Sequence, residues 1–134
     1  MASVQPVFFH RTYDEALALV EEARNYVAYV EPRDRKRLGL EARLQVSCES
    51  FRITSRLTQV MAWLMLQRAV EAGEISQAMA VTPDNRLSAQ DICLIERVRF
   101  LDELPKSLRS LMTRSLNLYL RVSRLENQII NTLH

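Results

Sequence analysis

Apolar residues recur at steps of three and four along most of this chain, the spacing that gathers them on one side of an α-helix. Thr12-Tyr13-Asp14-Glu15 has the spacing of a capping box, which predicts a first helix from Thr12. Residues 1–11 then form an entry segment whose Val7, Phe8 and Phe9 dock on the fold. The helix carries the stripe Tyr13, Ala16, Val20, Ala23, Val27 and Val30. Glu31-Pro32 is expected to end it, because the residue before a proline is pushed out of the α region. Leu19, Tyr26 and Tyr29 stand off the stripe. They are either scattered exposure or a second face with tyrosine anchors for a partner. Residues 33–38, Arg-Asp-Arg-Lys-Arg-Leu, form a charged connector or the frayed first turn of the next helix.

The second helix is predicted over 40–72, with Gly73 as its C-terminal cap. It carries two apolar stripes. One is Leu40, Leu44, Cys48, Phe51, Ser55, Thr58, Met61/Ala62, Met65, Ala69 and Ala72; the other is Ile53, Leu57, Val60, Leu64 and Gln67, with Trp63 alongside. A surface helix of a small domain buries one stripe, so a helix apolar on nearly every side needs a second cover. At about 1.5 Å per residue the rod is about 50 Å long. A compact chain of this size is only about 35 Å across, from a radius of gyration of about 14 Å. The rod overshoots a sphere, so the shape is elongated or the helix spans two subunits; the reading taken is a homodimer with this helix at the seam, through Leu57, Val60, Trp63, Leu64 and Gln67. Trp63 itself reads equally well as core.

Residues 73–88 form the loosest stretch, with a short helical turn over 75–80 and a turn signal at Thr82-Pro83-Asp84-Asn85. Ser88 with Asp91 three residues on, and Leu87 with Ile92 at staple positions, start a third helix near Ala89. That helix carries Ile92, Cys93, Ile95, Val98, Arg99 and Leu101, and Leu104-Pro105 breaks it. The fourth helix begins at Pro105. Its stripe is Leu108, Leu111, Ser115, Leu118, Val122, Leu125 and Ile129, at coiled-coil spacing, with Arg114, Arg121 and Arg124 off the seam. The fold class expected is all-α, one domain over 1–134: an antiparallel bundle of three to four helices, several of them long, paired as a dimer.

Composition agrees with helices. In 134 residues there are two glycines and four prolines, too few turn-formers for an all-β chain. The formal net charge of +2 makes no strong field toward nucleic acid or membrane. Sixteen of the eighteen cations are arginine, which reflects either genome composition or a supply of planar forks for carboxylates. Arg114 and Arg121 are the candidates for acidic partners, beside Tyr26 and Tyr29. Cys48 and Cys93, the two cysteines, each sit on an apolar pattern and read as reduced, buried thiols. No signal-peptide layout opens the sequence and no apolar run reaches a membrane span, so the chain is expected in the cytoplasm.

Catalytic signatures are missing. His10 and His134 stand at opposite ends, no Glu-x-x-His or Cys-x-x-Cys occurs, and two glycines cannot build a phosphate loop. The acid pairs Glu21-Glu22 and Glu71/Glu74 read as solvated helix faces rather than general acids and bases. No enzyme, metal or cofactor is expected. A helix-turn-helix over 74–98 would need a shorter connector and a basic recognition face. Nucleic-acid binding, as a small transcription-associated helical dimer, stays the alternative to a protein-binding function.

Several phrases together resemble one family: Arg11-Thr-Tyr-Asp-Glu-Ala16, Glu22-Ala-Arg-Asn-Tyr26, Arg56-Leu-Thr-Gln-Val-Met-Ala-Trp-Leu-Met-Leu-Gln-Arg-Ala-Val70, Gly73-Glu-Ile75, Phe100-Leu-Asp-Glu-Leu-Pro105 and Ser115-Leu-Asn-Leu-Tyr-Leu-Arg-Val-Ser-Arg-Leu125. The chain is similar over nearly its whole length to the regulator of CtrA degradation, the RcdA-like proteins of alphaproteobacteria. That resemblance implies a dimeric helical bundle acting as an adaptor. It implies that the protein helps the ClpXP protease degrade cell-cycle regulators, alongside other adaptors and protein substrates.

Overall fold

The computed structural model describes residues 6–88, 90–93, 98 and 101–133, without the side chains of 6–8 and 91. Among these residues there are helices and turns and no strand. Three long helices make the body: α1 (Pro6–Asn25), α3 (Leu40–Glu71) and α6 (Lys106–Leu133). Short elements join them: α2 (Glu31–Arg35), α4 (Gln77–Ala80) and α5 (Gln90–Cys93).

α1 starts six residues earlier than the capping box suggested. Pro6 occupies its first turn, where a missing N–H costs nothing, and the rod runs through Thr12, which is buried. Residues 6–11 of the entry segment are therefore helical. Its Phe9 docks as expected, edge-on to Trp63 with ring centroids 5.7 Å apart. Val7 and Phe8 have side chains outside the described set.

Pro32 does not stop the helix either. The chain widens into a π-turn over Tyr26–Val30, in which the Glu31 N–H donates to the carbonyl of Tyr26. It then continues as α2 with Pro32 in the first turn. A π-turn relieves the clash that a proline ring makes in a regular helix. From the start of α1 into that turn, the buried set is Phe9, Thr12, Ala16, Leu19 and Tyr26, with Tyr13, Val20 and Ala23 packed partly against it. Val27 and Val30, predicted on the stripe, are exposed.

α3 matches its prediction closely. Gly73 adopts φ +76°, and its N–H and that of Glu74 return to the carbonyls of Val70 (3.0 Å) and Ala69 (2.9 Å). This is a Schellman close, which needs a left-handed residue and so favours glycine. α6 begins just after Pro105, whose carbonyl accepts from Arg109 N–H at 3.0 Å. Its predicted stripe is the buried face: Leu108, Leu111, Ser115, Leu118, Val122 and Ile129, with Leu125 packed against it.

Contacts set the directions. His10 reaches Glu71 and Tyr13 sits under Arg68, so α1 runs antiparallel to α3. Arg121 meets Glu15 and Arg114 meets Glu22, so α1 also runs antiparallel to α6. α3 and α6 run parallel, because the connector from Ala72 to Pro105 carries the chain back across the bundle. Of that connector's predicted third helix, α5 covers Gln90–Cys93; Ile95 and Arg99 lie outside the described residues. The turn signals before it hold: Ser76 caps α4 by accepting from Met79 N–H, and a 3-10 turn forms at Pro83–Asn85.

Candidate functional site

The two sides of α3 face different worlds. Its inner face holds Ala42, Val46, Glu49, Ile53, Arg56, Leu57, Val60, Trp63, Leu64 and Gln67, all buried by atoms of the same chain. The dimer seam expected at Leu57, Val60, Trp63, Leu64 and Gln67 is thereby corrected: these residues are the core of the protomer. Trp63 is 1% exposed. The sequence argument required a second chain to cover them. The cover comes instead from α1, from α6 and from the returning connector.

Polar side chains lace that connector down. Arg52 Nε donates to the Ile92 carbonyl (3.1 Å) and Arg56 Nε to that of Cys93 (2.8 Å). Arg56 Nη1 also donates to the Met112 carbonyl (3.1 Å) and to Ser115 Oγ (3.2 Å). Gln59 Oε1 accepts from Ser88 N–H, Glu126 accepts from Leu87 N–H, and the Tyr119 hydroxyl donates to the Ser88 carbonyl. Gln67 accepts from Gln77 at 3.0 Å. Buried backbone groups demand such partners, so the polar residues of the inner face hold the strap over it.

Burial shapes the ionisation of this network. It pushes the Tyr119 phenol up to about 12, with help from Cys93 and Glu126. It raises the Glu126 carboxyl above its ordinary value, against opposition from the Leu87 N–H, Arg86 and Trp63. It lowers Arg56, which the Glu49 carboxylate partly restores. Glu49 is fully buried and takes bonds from Gln45 and Arg52. Each of these groups is held by hydrogen bonds within the protomer. Among the described residues no group of three or more His, Cys, Asp and Glu is placed to hold a metal ion. No described helix is long and apolar enough to cross a membrane.

The proposed partner anchors separate. Tyr26 is buried, with its hydroxyl donating to Asp34 (3.3 Å), and burial followed by the Asp34 charge drives its pKa up. Its place as a surface anchor is corrected, because it props the π-turn against α2. Tyr29, on the opposite side of that turn, is 71% exposed. Arg114 and Arg121 are half-exposed but engaged, Arg114 by Glu22 and Arg121 by Glu15 at 2.8 Å. The Glu22 bond raises the Arg114 pKa. An acidic partner at α6 would have to displace the acids of α1.

The outer face of α3 is what sequence reasoning undervalued. Leu40 (65%), Leu44 (59%), Phe51 (61%) and Met65 (60%) are exposed, in line with Cys48, Thr58 and Ala62. Cys48, expected buried, is exposed, while Cys93 is buried. The stripe itself was legible from spacing; what was missing was which of two equivalent stripes the protomer would use. An exposed line of large apolar residues marks a contact surface.

The comparisons point one way. The chain is similar to the crystal structure of RcdA from Caulobacter crescentus CB15, with 35% identity, a TM-score of 0.74, and 96% of this chain and 93% of that one covered. No curated protein is significantly similar. A family model described as a protein of unknown function, DUF1465, matches residues 1–133. The chain thus belongs to the DUF1465 family, the RcdA-like proteins that its sequence phrases resemble.

Proposed function

We propose that this protein is a non-enzymatic adaptor in regulated proteolysis, working in the cytoplasm as a homodimer. It binds protein substrates and other adaptors and brings them to an ATP-dependent protease of the ClpXP type, which alters the turnover of cell-cycle regulators. The observation that carries this reading is the likeness to RcdA over nearly the full length of both chains. The physical surface supports it: a rigid three-helix body offers an apolar line on α3 and the exposed Tyr29 at one end. Such a body acts by raising the local concentration of a substrate near the protease, which needs only modest affinity at each contact. Tyr29 is the partner anchor we retain; Arg114 and Arg121 join it only where an acidic partner outcompetes Glu22 and Glu15.

Reconstituted degradation tests the reading. With the unfoldase, the peptidase and a candidate regulator present, adding this protein should raise the degradation rate at low substrate concentration and have little effect at saturation. No change at any substrate concentration, together with no capture of the unfoldase or a substrate in a pull-down, overturns it. The nucleic-acid alternative has weaker support. α4 and α5 are four residues each, and no described helix among 74–93 is long enough to fill a major groove.

A further inference from the structure

We infer that the opening turns of α6 form a binding site for a phosphate ester, a small free ligand held by Lys106, Arg109, Ser110 and Thr113. The site goes beyond the adaptor role and does not depend on it.

Spacing gathers the residues. Lys106, Arg109, Ser110, Thr113 and Arg114 stand at i, i+3, i+4, i+7 and i+8, so they share one face of the helix. Together they line a hollow of about 500 Å³. That is more than a bare phosphate fills and lies within the usual range for small-molecule sites, ~300–1,000 Å³. The core face of α6, through Leu108, Leu111, Met112 and Ser115, falls on the opposite side of the helical period.

The charge on this face is unanswered. Farther along α6, Arg114 and Arg121 meet Glu22 and Glu15 of α1. Those two acids are a heptad apart, and the next position in their series is Tyr29, not a carboxylate. Among the described residues, neither the Lys106 ammonium nor the Arg109 guanidinium has an ion pair or a hydrogen bond. Arg109 Nε is closed off from solvent without an acceptor, a state that buried donors rarely keep. Asp102 and Glu103, in the turn just before α6, engage neither cation. Helix stability does not account for the arrangement. A first turn favours acids, because the helix dipole is positive there, yet α6 has none in that turn and opens on Lys106. A local choice that works against the fold is expected where function demands it.

Chemistry selects phosphate over carboxylate. A carboxylate is planar, carries a single charge and is satisfied by one arginine fork. A phosphate ester carries a charge of about −1.5 to −2 near neutral pH and offers three strong acceptor oxygens. Lys106 and Arg109 supply two matching positive charges. Ser110 Oγ accepts from Arg114 Nε at 3.0 Å, which leaves its own O–H to donate. The Thr113 hydroxyl, which is exposed, is the second donor. Arg114 stays with Glu22 at the rim. A nucleic-acid backbone fits less well, since two unpaired cations on two turns of one helix answer too few of its phosphates.

Calorimetric titration of the full chain with phenyl phosphate tests the site. At about pH 7.5, where the ester is a dianion, it should bind about one equivalent, and affinity should fall as pH drops through about 6. Benzoate, with the same ring on a carboxylate, should bind about tenfold more weakly or not at all. Arg109→Gln and, separately, Lys106→Gln should each weaken phenyl phosphate about tenfold with helical circular dichroism unchanged. Arg121→Gln removes the same charge from the same helix outside the hollow and should leave binding as it was. The inference is overturned by phenyl phosphate that does not bind, by benzoate that binds as tightly, or by an Arg121→Gln loss equal to that of Arg109→Gln. Vesicles containing phosphatidic acid present the same group on a lipid surface. A free ligand predicts no cosedimentation with them, and cosedimentation that Arg109→Gln abolishes overturns the small-ligand assignment.

Discussion

The inner and outer faces of α3 are made of similar residues and do opposite things. Inside, Val46, Ile53, Leu57, Val60 and Leu64 are closed off by α1, α6 and the connector. Outside, Leu40, Leu44, Phe51 and Met65 meet solvent in the single chain. The inner face also carries Glu49, Arg56 and Gln67, which are buried and hydrogen-bonded, whereas the outer line between Leu44 and Met65 holds only small or apolar side chains and the hydroxyls of Ser55 and Thr58. Apolarity alone therefore does not say which stripe is the core. The polar residues interleaved with the inner stripe do: Arg56 binds the Cys93 carbonyl of the strap, Gln67 takes a bond from Gln77 of the same strap, and Glu49 holds Arg52, which binds the Ile92 carbonyl.

Truncation should separate the faces most sharply. Leu64→Ala opens a hole in the core and should lower the unfolding free energy by about 2–5 kcal/mol. Met65→Ala, one residue along, should change the protomer's own stability by no more than about 0.5 kcal/mol. Denaturant melts of both variants check this, and equal losses would erase the distinction between faces. Next in size, Arg56→Met leaves the carbonyls of Cys93 and Met112 without this donor, at about 1–3 kcal/mol. Its signature in hydrogen exchange should be faster opening at residues 87–93 than in the long helices.

The pH dependence probes the same cover more gently. Burial raises the folded Glu126 carboxyl above its ordinary 4.5, so the folded protein holds that proton more tightly than the unfolded chain does. Its contribution to stability is complete below 4.5 and is lost as pH rises from there through the raised value. Glu126→Gln keeps an acceptor for the Leu87 N–H and should flatten that part of the stability curve. Melts of the two proteins at matched pH decide it. Smallest of all, Arg114→Ala removes an exposed pair with Glu22 between α1 and α6 and should cost about 0.2–1 kcal/mol, less in high salt.

Much of the architecture was legible along the chain. The stripe of α6 and the Schellman glycine of α3 are local signals, and they formed where expected, because periodicity and a left-handed cap act over only a few residues. The start of α1 and its passage through Pro32 were misread for the converse reason. A capping box and a proline are also local signals, but the packing of Phe9 on Trp63 and a single π-turn outweigh them. The site residues divided along the same line. Tyr29 stayed at the surface. Tyr26 went inward to Asp34, and Arg114 and Arg121 found acids on α1, a pairing between positions far apart in sequence.

By itself, then, the order of residues determined an all-helical chain, the long central rod, two apolar stripes on it and the family likeness. Only the tertiary structure decided which stripe is the core. That choice depends on a connector whose own residues lack a strong helical period and which acts by laying Leu87, Ser88 and Cys93 over α3 and α6. Backbone groups of Leu87, Ser88, Ile92 and Cys93 are held by hydrogen bonds to side chains 29 to 40 positions away. Such bonds have no periodicity in sequence, so only the folded chain reveals them.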